Sequence, residues 1–206
     1  TKGRSDHGIS ADEKNIYWYG EAILSREQIV LPGEHNLENI LCAVAAAKLQ
    51  NCPIEAIQEV LATFAGVRHR TQFVREWQGR KIYNDSKATN VLATKSALAA
   101  FNSPIVLLAG GLDRGHSFEE LRKEMTRVKA VVAFGETALR LIEFAKSCGI
   151  TNIVRAIDVE DAVGYAAKIS NQGDIILLSP ACASWDQHAS FEIRGDLFID
   201  RVMKLS

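Results

Sequence analysis

Short apolar stretches recur at nearly regular intervals in the second half of the chain, and this spacing constrains the fold more than any other feature. The stretches begin near Lys81, Ile105, Ala130, Asn152 and Asp174, at steps of 22 to 25 residues. Such an interval is the length of one strand plus one crossover helix, which is the connection that parallel strands require. The spacing therefore predicts an α/β fold with a parallel sheet.

One antiparallel strand is expected at an edge of this sheet. Residues 71–77 alternate between apolar and polar side chains, Gln78-Gly79 can form a tight turn, and residues 81–84 lead back. With this pair, the expected fold is a Rossmann-like, mostly parallel six-stranded sheet with one antiparallel edge strand.

Helix signals occur between the predicted strands. Ser117-Phe118-Glu119-Glu120 is a capping-box pattern that predicts the start of one helix, Gly149 predicts the end of the next, and Asp158 can cap the third. The crossovers are therefore expected to be helical.

The first third of the chain shows a different pattern. Alternating stretches on either side of Gly20 indicate a β-hairpin or meander, and helical spacing follows from Asn36, which can cap the first turn. A second helix is expected from Pro53 to Gly66, with a linker from there to Arg70. Because a hairpin and two helices make a poor domain on their own, this region is expected to be the end of a larger domain.

The composition argues against several classes of protein. Lys and Arg number 24 against 25 Asp and Glu, so a net charge of −1 provides no global attraction to nucleic acid or to an anionic membrane. No apolar run approaches the roughly 20 residues of a membrane span, and the first residues do not have the apolar core of a signal peptide. The four cysteines and five histidines show neither disulfide nor metal-ligand spacing. A protein of the reducing cytoplasm without structural zinc is expected.

Four loops follow the predicted strand ends, and ligands of an open parallel sheet bind beyond those carboxyl ends. These candidate loops are residues 85–90, 110–116, 135–137 and 179–191.

The first candidate loop combines an acid, a base and hydroxyl groups where a helix is expected to begin. Free backbone N–H groups at a helix start favour an anion, to which Lys87 would add a charge and Thr89 a hydroxyl donor. Equally, Thr89 or Asn90 caps the helix and Lys87 is a solvated surface charge. The loop alone leaves both interpretations open.

The last candidate loop is the longest, and long ordered loops are more often functional than structural. Ser184, Asp186 and His188 suggest a serine hydrolase, but the chain has no GxSxG elbow, and closeness in sequence does not make a triad. By contrast, Gly110-Gly111 is interpreted as a flexible turn, since it is not a GxGxxG fingerprint.

Two further polar groups are ambiguous. His35-Asn36 with Asn39 places two amides on one face at a helix start, for capping or for a ligand. His69-Arg70 lies in the predicted linker, where an arginine normally faces water.

Taken together, these blocks and their order resemble the Mur ligase family. The residues that carry the resemblance are His35-Asn36-x-x-Asn39, His69-Arg70, Asn84-Asp85-Ser86-Lys87-Ala88-Thr89-Asn90, Leu108-Ala109-Gly110-Gly111, Ser179-Pro180-Ala181-Cys182-Ala183-Ser184-x-Asp186-Gln187, Phe191 and Arg194-Gly195. The two long runs indicate, within the family, the ligases that add D-glutamate.

The resemblance implies a domain order. Members have a UDP-binding domain, a central ATP-binding domain and a C-terminal α/β domain. Residues 1–66 would be the C-terminal part of the central domain, and residues 67–206 the complete amino-acid-binding domain. The phosphate loop GxxxxGK[ST] does not occur in the 206 residues, and the magnesium ligands and carbamylated lysine are expected upstream. The chain is thus expected to be a monomeric, C-terminal fragment.

The resemblance also implies a reaction. ATP, with Mg²⁺, would phosphorylate the L-alanine carboxyl of UDP-N-acetylmuramoyl-L-alanine, and the amine of D-glutamate would attack the acyl phosphate, a step of peptidoglycan synthesis. The fragment alone is expected to be inactive. The alternative is a stand-alone Rossmann-like module that binds a nucleotide or small molecule without catalysis.

Residue roles follow from the same resemblance. Asn36 and Asn39 would face the adenine, Arg70 and Asp85 the ribose and phosphates, and Lys87 the reacting phosphate or carboxylate. The two carboxylates of D-glutamate would be bound by Thr89 with Arg114 and by Ser184 with the backbone near Phe191. Two departures affect this pocket, because many relatives have lysine where Arg114 aligns and an aliphatic residue where Trp185 aligns.

Overall fold

A computed structural model describes residue 3, residues 5–31, 34–64 and 66–206, without the side chains of residues 34 and 35. The chain divides into two compact units, Thr1–Gly66 and Val67–Ser206. Each unit is described by itself. The assignment of the first to an ATP-binding domain and of the second to an amino-acid-binding domain stays a prediction.

The described residues of the first unit form an antiparallel sheet and two helices. The strands are β1 (Ile9–Ala11), β2 (Asn15–Trp18) and β3 (Glu21–Ser25), paired in that order. The turn between β2 and β3 has positive φ at both Tyr19 and Gly20, which suits the twist of a two-residue hairpin. The expected meander is confirmed.

The two helices of this unit begin and end differently from the prediction. Helix α1 is Glu34–Leu49, so Asn36 lies inside the first turn and cannot be its N-cap. Helix α2 is Ile54–Thr63, with Pro53 as the residue before its first turn, and it ends three positions before Gly66. The helices pack on the sheet through a small set of buried apolar residues: Ala11, Ile16, Leu24, Ile40, Leu41, Val44, Ile57 and Leu61.

Residues 67–206, all of them described, contain a six-stranded sheet in the order β4-β5-β9-β6-β7-β8. The strands are β4 (Gln72–Trp77), β5 (Arg80–Asn84), β6 (Ile105–Gly110), β7 (Val128–Phe134), β8 (Asn152–Arg155) and β9 (Ile175–Leu178). Only the β4–β5 pair is antiparallel. The Rossmann-like, mostly parallel sheet with one antiparallel edge strand is confirmed.

Helices cover both faces of this sheet. They are α3 (Val91–Ala99), α4 (Ala138–Ser147), α5 (Val159–Ile169) and α6 (Phe191–Met203). Every residue of β6 is buried, because parallel strands with helices on both sides have no solvent face. The core therefore forms two apolar layers, one on each face of the sheet.

Most of the predicted helix ends are confirmed. Asn90 caps α3 by accepting from the N–H of Ala93 at 2.9 Å, and Asp158 caps α5 by accepting from the N–H of Asp161 at 2.8 Å. Gly149, at φ +83°, follows the last turn of α4. Among the described residues, no helix is both long and apolar enough to cross a membrane.

The helix predicted from the Ser117–Glu120 capping box is wrong. Two short 3₁₀ turns, Glu119–Leu121 and Glu124–Arg127, occupy the crossover between β6 and β7. Ser117 Oγ accepts from the N–H of Glu119, only two residues ahead, at 3.2 Å. The reciprocal bond from the Ser117 N–H to the Glu120 carboxylate is not made in this described part of the chain, so the capping box is incomplete and 3₁₀ turns stand in place of the helix.

Candidate functional site

The candidate loops lie along one edge of the sheet. Strands β5, β9, β6 and β7 are neighbours, and each of the four ends immediately before or within a candidate loop. This edge is where the parallel strands present their carboxyl ends, so the predicted placement is confirmed.

A fully buried arginine joins three of these strand ends. The Arg194 guanidinium donates to Ser86 Oγ at 3.0 Å, to the Ser86 carbonyl at 2.9 Å and to the Cys182 carbonyl at 3.1 Å. It also reaches the Gly110 carbonyl at 3.5 Å. Among residues 67–206 no carboxylate pairs with it, and burial lowers the pKa of Arg194 to about 10, so it stays charged at neutral pH. The buried charge of Arg194 is therefore stabilised mainly by the dipoles of backbone carbonyl groups.

A second buried network holds the start of the first candidate loop. Asn84 Nδ2 donates to His69 Nδ1 at 3.0 Å and to the Gly195 carbonyl at 3.1 Å, while Asn84 Oδ1 accepts from the N–H of Ser86 at 3.0 Å. Because an amide nitrogen can only donate, His69 Nδ1 must be the acceptor of a neutral ring. Burial accordingly lowers the pKa of His69.

His69 also corrects the linker prediction. Its side chain is 3% exposed, and its carbonyl accepts from the N–H of Lys87 at 3.0 Å. Its backbone is in the left-handed region at φ +61°, which is uncommon for residues other than glycine. Residues 67–70 are therefore not a free linker throughout, because His69 is part of the packed second unit.

Asp85 is buried below the same loop. Its Oδ1 accepts from the N–H of Thr71 at 3.0 Å and its Oδ2 from Ser179 Oγ at 2.8 Å. Burial raises the pKa of Asp85 to about 6 in spite of these bonds. Thr71 has φ +42°, an outlier for a β-branched residue, and this strain directs its N–H to the carboxylate.

The charged and hydroxyl groups of the loop lie nearer the surface. Lys87 is exposed, with its Nζ 5.1 Å from the centre of the Phe191 ring, and Thr89 is half-buried. Arg70 is exposed, and its charge lowers the pKa of Asp85 against the effect of burial. The structure thus brings Arg70, Asp85, Lys87 and Phe191 to the same end of the sheet.

Gly110 and Gly111 are required by close packing, so their interpretation as a flexible turn is wrong. A Cβ on Gly110 would lie 1.8 Å from the Phe134 carbonyl oxygen, and one on Gly111 would lie 2.2 Å from the Ala183 carbonyl oxygen. Both have φ in the region that side chains rarely adopt, at +135° and +143°. Leu112 N–H also donates to the Ala183 carbonyl at 2.9 Å, so two candidate loops are joined through backbone.

Arg114 and Trp185 meet beyond this junction. The guanidinium carbon lies 4.6 Å from the centre of the indole ring, and Trp185 is 64% exposed. The neighbouring Asp113 is paired with Arg140. Arg114 is therefore not neutralised by the carboxylate next to it in sequence.

Ser184, Asp186 and His188 do not assemble into a triad. Three buried side-chain atoms of this loop have no hydrogen-bond partner among the described residues: Ser184 Oγ, Asp186 Oδ1 and His188 Nε2. A serine nucleophile needs its base within hydrogen-bond reach. What remains is a buried hydroxyl, 2% exposed, with unused donor capacity.

Helix α6 contributes to the site at its first turn. Ser190 caps the helix, and the backbone N–H groups that begin at Phe191 have no acceptors within the helix. The Phe191 carbonyl accepts from Ser86 Oγ at 2.8 Å, which joins the first turn of α6 to the first candidate loop.

Asn36 and Asn39 lie in α1 of the first unit, and both have interactions within the chain. The described residues contain no group of three or more His, Cys, Asp or Glu that could hold a metal ion.

The structural importance of Arg194 escaped the sequence analysis, although a signal existed. Arg194, Phe198 and Val202 are all fully buried at intervals of four residues along α6. An arginine within an apolar stripe of this kind marks a cation that the fold has placed inside.

Comparison with known proteins places these features in a family. Residues 69–182 match the family model described as "Mur ligase, glutamate ligase domain". The UDP-N-acetylmuramoylalanine–D-glutamate ligase of Bacillus subtilis is 54% identical over 97% of this chain, and that of Listeria innocua is 55% identical over 100%. The chain spans 44% and 45% of the length of these curated relatives.

Solved structures of more distant proteins share the fold. A pseudomurein peptide ligase type C from Methanothermus fervidus has a TM-score of 0.68 at 17% identity, covering 95% of this chain and 42% of its own. The UDP-N-acetylmuramate-alanine ligase of Thermotoga maritima has a TM-score of 0.64 at 18% identity, covering 91% of this chain and 42% of its own. The family model covers more than half of the chain, and the chain therefore belongs to the Mur ligase family.

Proposed function

We propose that the chain is the amino-acid-binding part of an ATP-dependent ligase that adds D-glutamate to UDP-N-acetylmuramoyl-L-alanine. The observation that carries the proposal is the identity of 54% over 97% of the chain to a ligase with this printed activity. The fold adds support, because the two long motif runs follow the neighbouring strands β5 and β9. We call the space beyond the carboxyl ends of the parallel strands the crevice.

The proposed reaction activates a poor electrophile. ATP supplies the phosphoryl group that converts the L-alanine carboxylate into an acyl phosphate. The D-glutamate nitrogen then attacks the carbonyl carbon, the C–N bond forms, the C–O bond to phosphate breaks, and the amine loses a proton. Negative charge accumulates on phosphate oxygens in both steps, so fixed cations stabilise them. We assign this role to Lys87, the exposed ammonium of the first candidate loop.

The proposed D-glutamate pocket uses groups with unused binding capacity. Ser184 Oγ has no partner among the described residues, and with the Phe191 N–H at the start of α6 it would bind one carboxylate. Arg114, which has no carboxylate partner among the described residues, and Thr89 would bind the other. Two anion sites match the two carboxylates of the substrate.

The nucleotide contacts remain those that the resemblance assigns, namely Asn36, Asn39, Arg70 and Asp85. The exposed Arg70 guanidinium suits a ribose or phosphate oxygen. Both Asp85 oxygens accept from protein donors, which supports a role in shaping the loop beside any nucleotide contact. We place the Mg²⁺ ligands and the phosphate loop upstream of this chain in the full-length protein, and the enzyme in the cytoplasm as a monomer.

The decisive experiment measures D-glutamate incorporation by the full-length protein that carries this chain. Product should form with D-glutamate and not with L-glutamate, and it should require ATP and the UDP-sugar peptide. The 206-residue chain alone should form none, since its sequence has no phosphate loop. The alternative, a nucleotide-binding module, would be favoured by two results together: tight binding of ATP by the 206-residue chain alone, and no product from the full-length protein.

Lys87→Ala tests the catalytic assignment. The kcat for ligation should fall by about 100-fold or more, because a charge aimed at the developing phosphate is lost. Lys81→Ala, which removes another exposed lysine from the same region of the chain, should retain near-normal turnover. Equal rates for the two variants would refute the role of Lys87.

A further inference from the structure

Trp185 presents a large aromatic face to solvent at the rim of the crevice. It is 64% exposed, whereas Ser184 before it is 2% exposed. Its indole lies under the Arg114 guanidinium, at 4.6 Å from ring centre to guanidinium carbon.

The charge on Arg114 is available for a ligand. Among the residues that the structure describes, the indole is its only partner, because Asp113 pairs with Arg140 instead. A guanidinium stacked on a ring keeps its N–H groups in the plane, directed away from the ring face. The contact with the indole therefore holds the guanidinium without occupying its N–H donors.

The backbone around Arg114 is fixed by contacts on both sides. Gly111 and Leu112 are held against the Ala183 carbonyl, so the two loops are fixed just before Arg114. Gly115, just after it, has φ +74° and open space around its Cα. Asp113 is held by Glu136 and Arg140, and the His116 carbonyl accepts from Arg140, so the backbone is fixed on both sides and only the Arg114 side chain is left for Trp185 to position.

We propose that Trp185 is a positioning residue, whose indole face holds Arg114 at the rim of the crevice to receive a carboxylate of the amino-acid substrate. This inference rests on the proposed function. A planar guanidinium can stack on an indole, whereas a lysine ammonium is a point charge that does not need a flat partner.

The experiment is a double-mutant cycle in the full-length protein, with KM for D-glutamate and kcat measured separately. Trp185→Leu should raise KM about two- to fivefold, the range of an exposed cation–π contact, and leave kcat within about twofold. Trp185→Phe keeps a ring face, so its KM for D-glutamate should be closer to the wild-type value than that of Trp185→Leu. In an Arg114→Ala background, which itself raises KM, Trp185→Leu should have no further effect.

The control is Lys168→Ala, which removes an exposed cation from above the Tyr165 ring on α5 and should leave both parameters unchanged. Equal effects of Trp185→Leu with and without Arg114 would overturn the positioning role, as would a fall in kcat at constant KM. A wild-type protein that ligates no D-glutamate would overturn the proposed function, and this inference with it. If the wild-type protein is active but the effects of Trp185→Leu and Arg114→Ala on KM are additive, only this inference is overturned.

Discussion

Asp85 shows how a single buried residue couples the site to pH. Its carboxylate is 5% exposed, and its pKa is raised from an ordinary 3.8 to about 6 by burial. Between these two values the folded state holds a proton that the unfolded chain has released. The free energy of unfolding therefore falls as pH rises through this window, by about 3 kcal/mol at most.

Asp85→Asn should remove this dependence. The amide can accept from Thr71 and donate to Ser179 Oγ, whose hydroxyl can turn to Thr94 Oγ1 at 3.0 Å. Urea unfolding of the second unit between pH 4 and pH 7 should show the variant gaining stability relative to wild type as pH rises. Glu76→Gln, an exposed carboxylate on β4, is the control, and parallel curves for Asp85→Asn and wild type would contradict the expectation.

His69 acts in the opposite direction. Its pKa is lowered by burial, so the unfolded chain binds the additional proton and stability is lost as pH falls below about 6.5. The unprotonated Nδ1 of its neutral ring accepts from the Asn84 side chain. Protonation of Nδ1 would remove this acceptor and disturb the start of the first candidate loop.

At the scale of elements, α6 fixes the site as well as covering the sheet. Its buried stripe begins with Arg194, whose guanidinium binds the carbonyls of Ser86 and Cys182 from two different loops. The helix therefore docks through apolar packing at one end and through hydrogen bonds at the other. Loss of the arginine leaves buried carbonyls without donors.

Arg194→Met should destabilise the second unit by about 2–4 kcal/mol, measured by urea unfolding. Arg194→Lys should also be destabilising, because one ammonium cannot replace a fork that binds in several directions. The matched control is Arg201→Met on the same helix, where a half-buried guanidinium is removed and a change of no more than about 0.5 kcal/mol is expected. Similar losses for Arg194→Met and Arg201→Met would show that Arg194 only fills space.

For the molecule as a whole, the two units differ in the core that they can build. The second unit has two extensive apolar layers on a six-stranded sheet, whereas the described part of the first unit has one cluster of eight buried apolar residues. A chain of about 60 residues is marginal without a larger core. Residues 67–206 are therefore the unit that is expected to fold independently.

Residues 67–206 expressed alone should unfold in one cooperative transition. Far-ultraviolet circular dichroism and the fluorescence of Trp77 and Trp185 should report the same urea midpoint. Residues 1–66 expressed alone should show a broad, weakly cooperative transition. Different urea midpoints by circular dichroism and by fluorescence for residues 67–206 would contradict the expectation.

Particular residues show why the sequence predicted the sheet better than the site. The strands are continuous apolar runs separated by regular crossovers, so periodicity alone located them. The local signal at Ser117 misleads because only one of the two bonds of a capping box forms, from the Glu119 N–H to the Ser117 hydroxyl. The burial of His69 and Arg194, and the packing at Gly110, depend on contacts between distant segments, which no local pattern contains.

The burial of Cys182 has a consequence for oxidative chemistry. Its thiol is shielded at the centre of the site, 3.4 Å from Thr137 Oγ1, and burial raises the pKa of Cys182. Cys42 and Cys52 are exposed in the first unit. Peroxide and thiol reagents attack accessible thiolates first, so they should modify Cys42 and Cys52 before Cys182. Cys182 becomes reactive only when the loops around Arg194 separate.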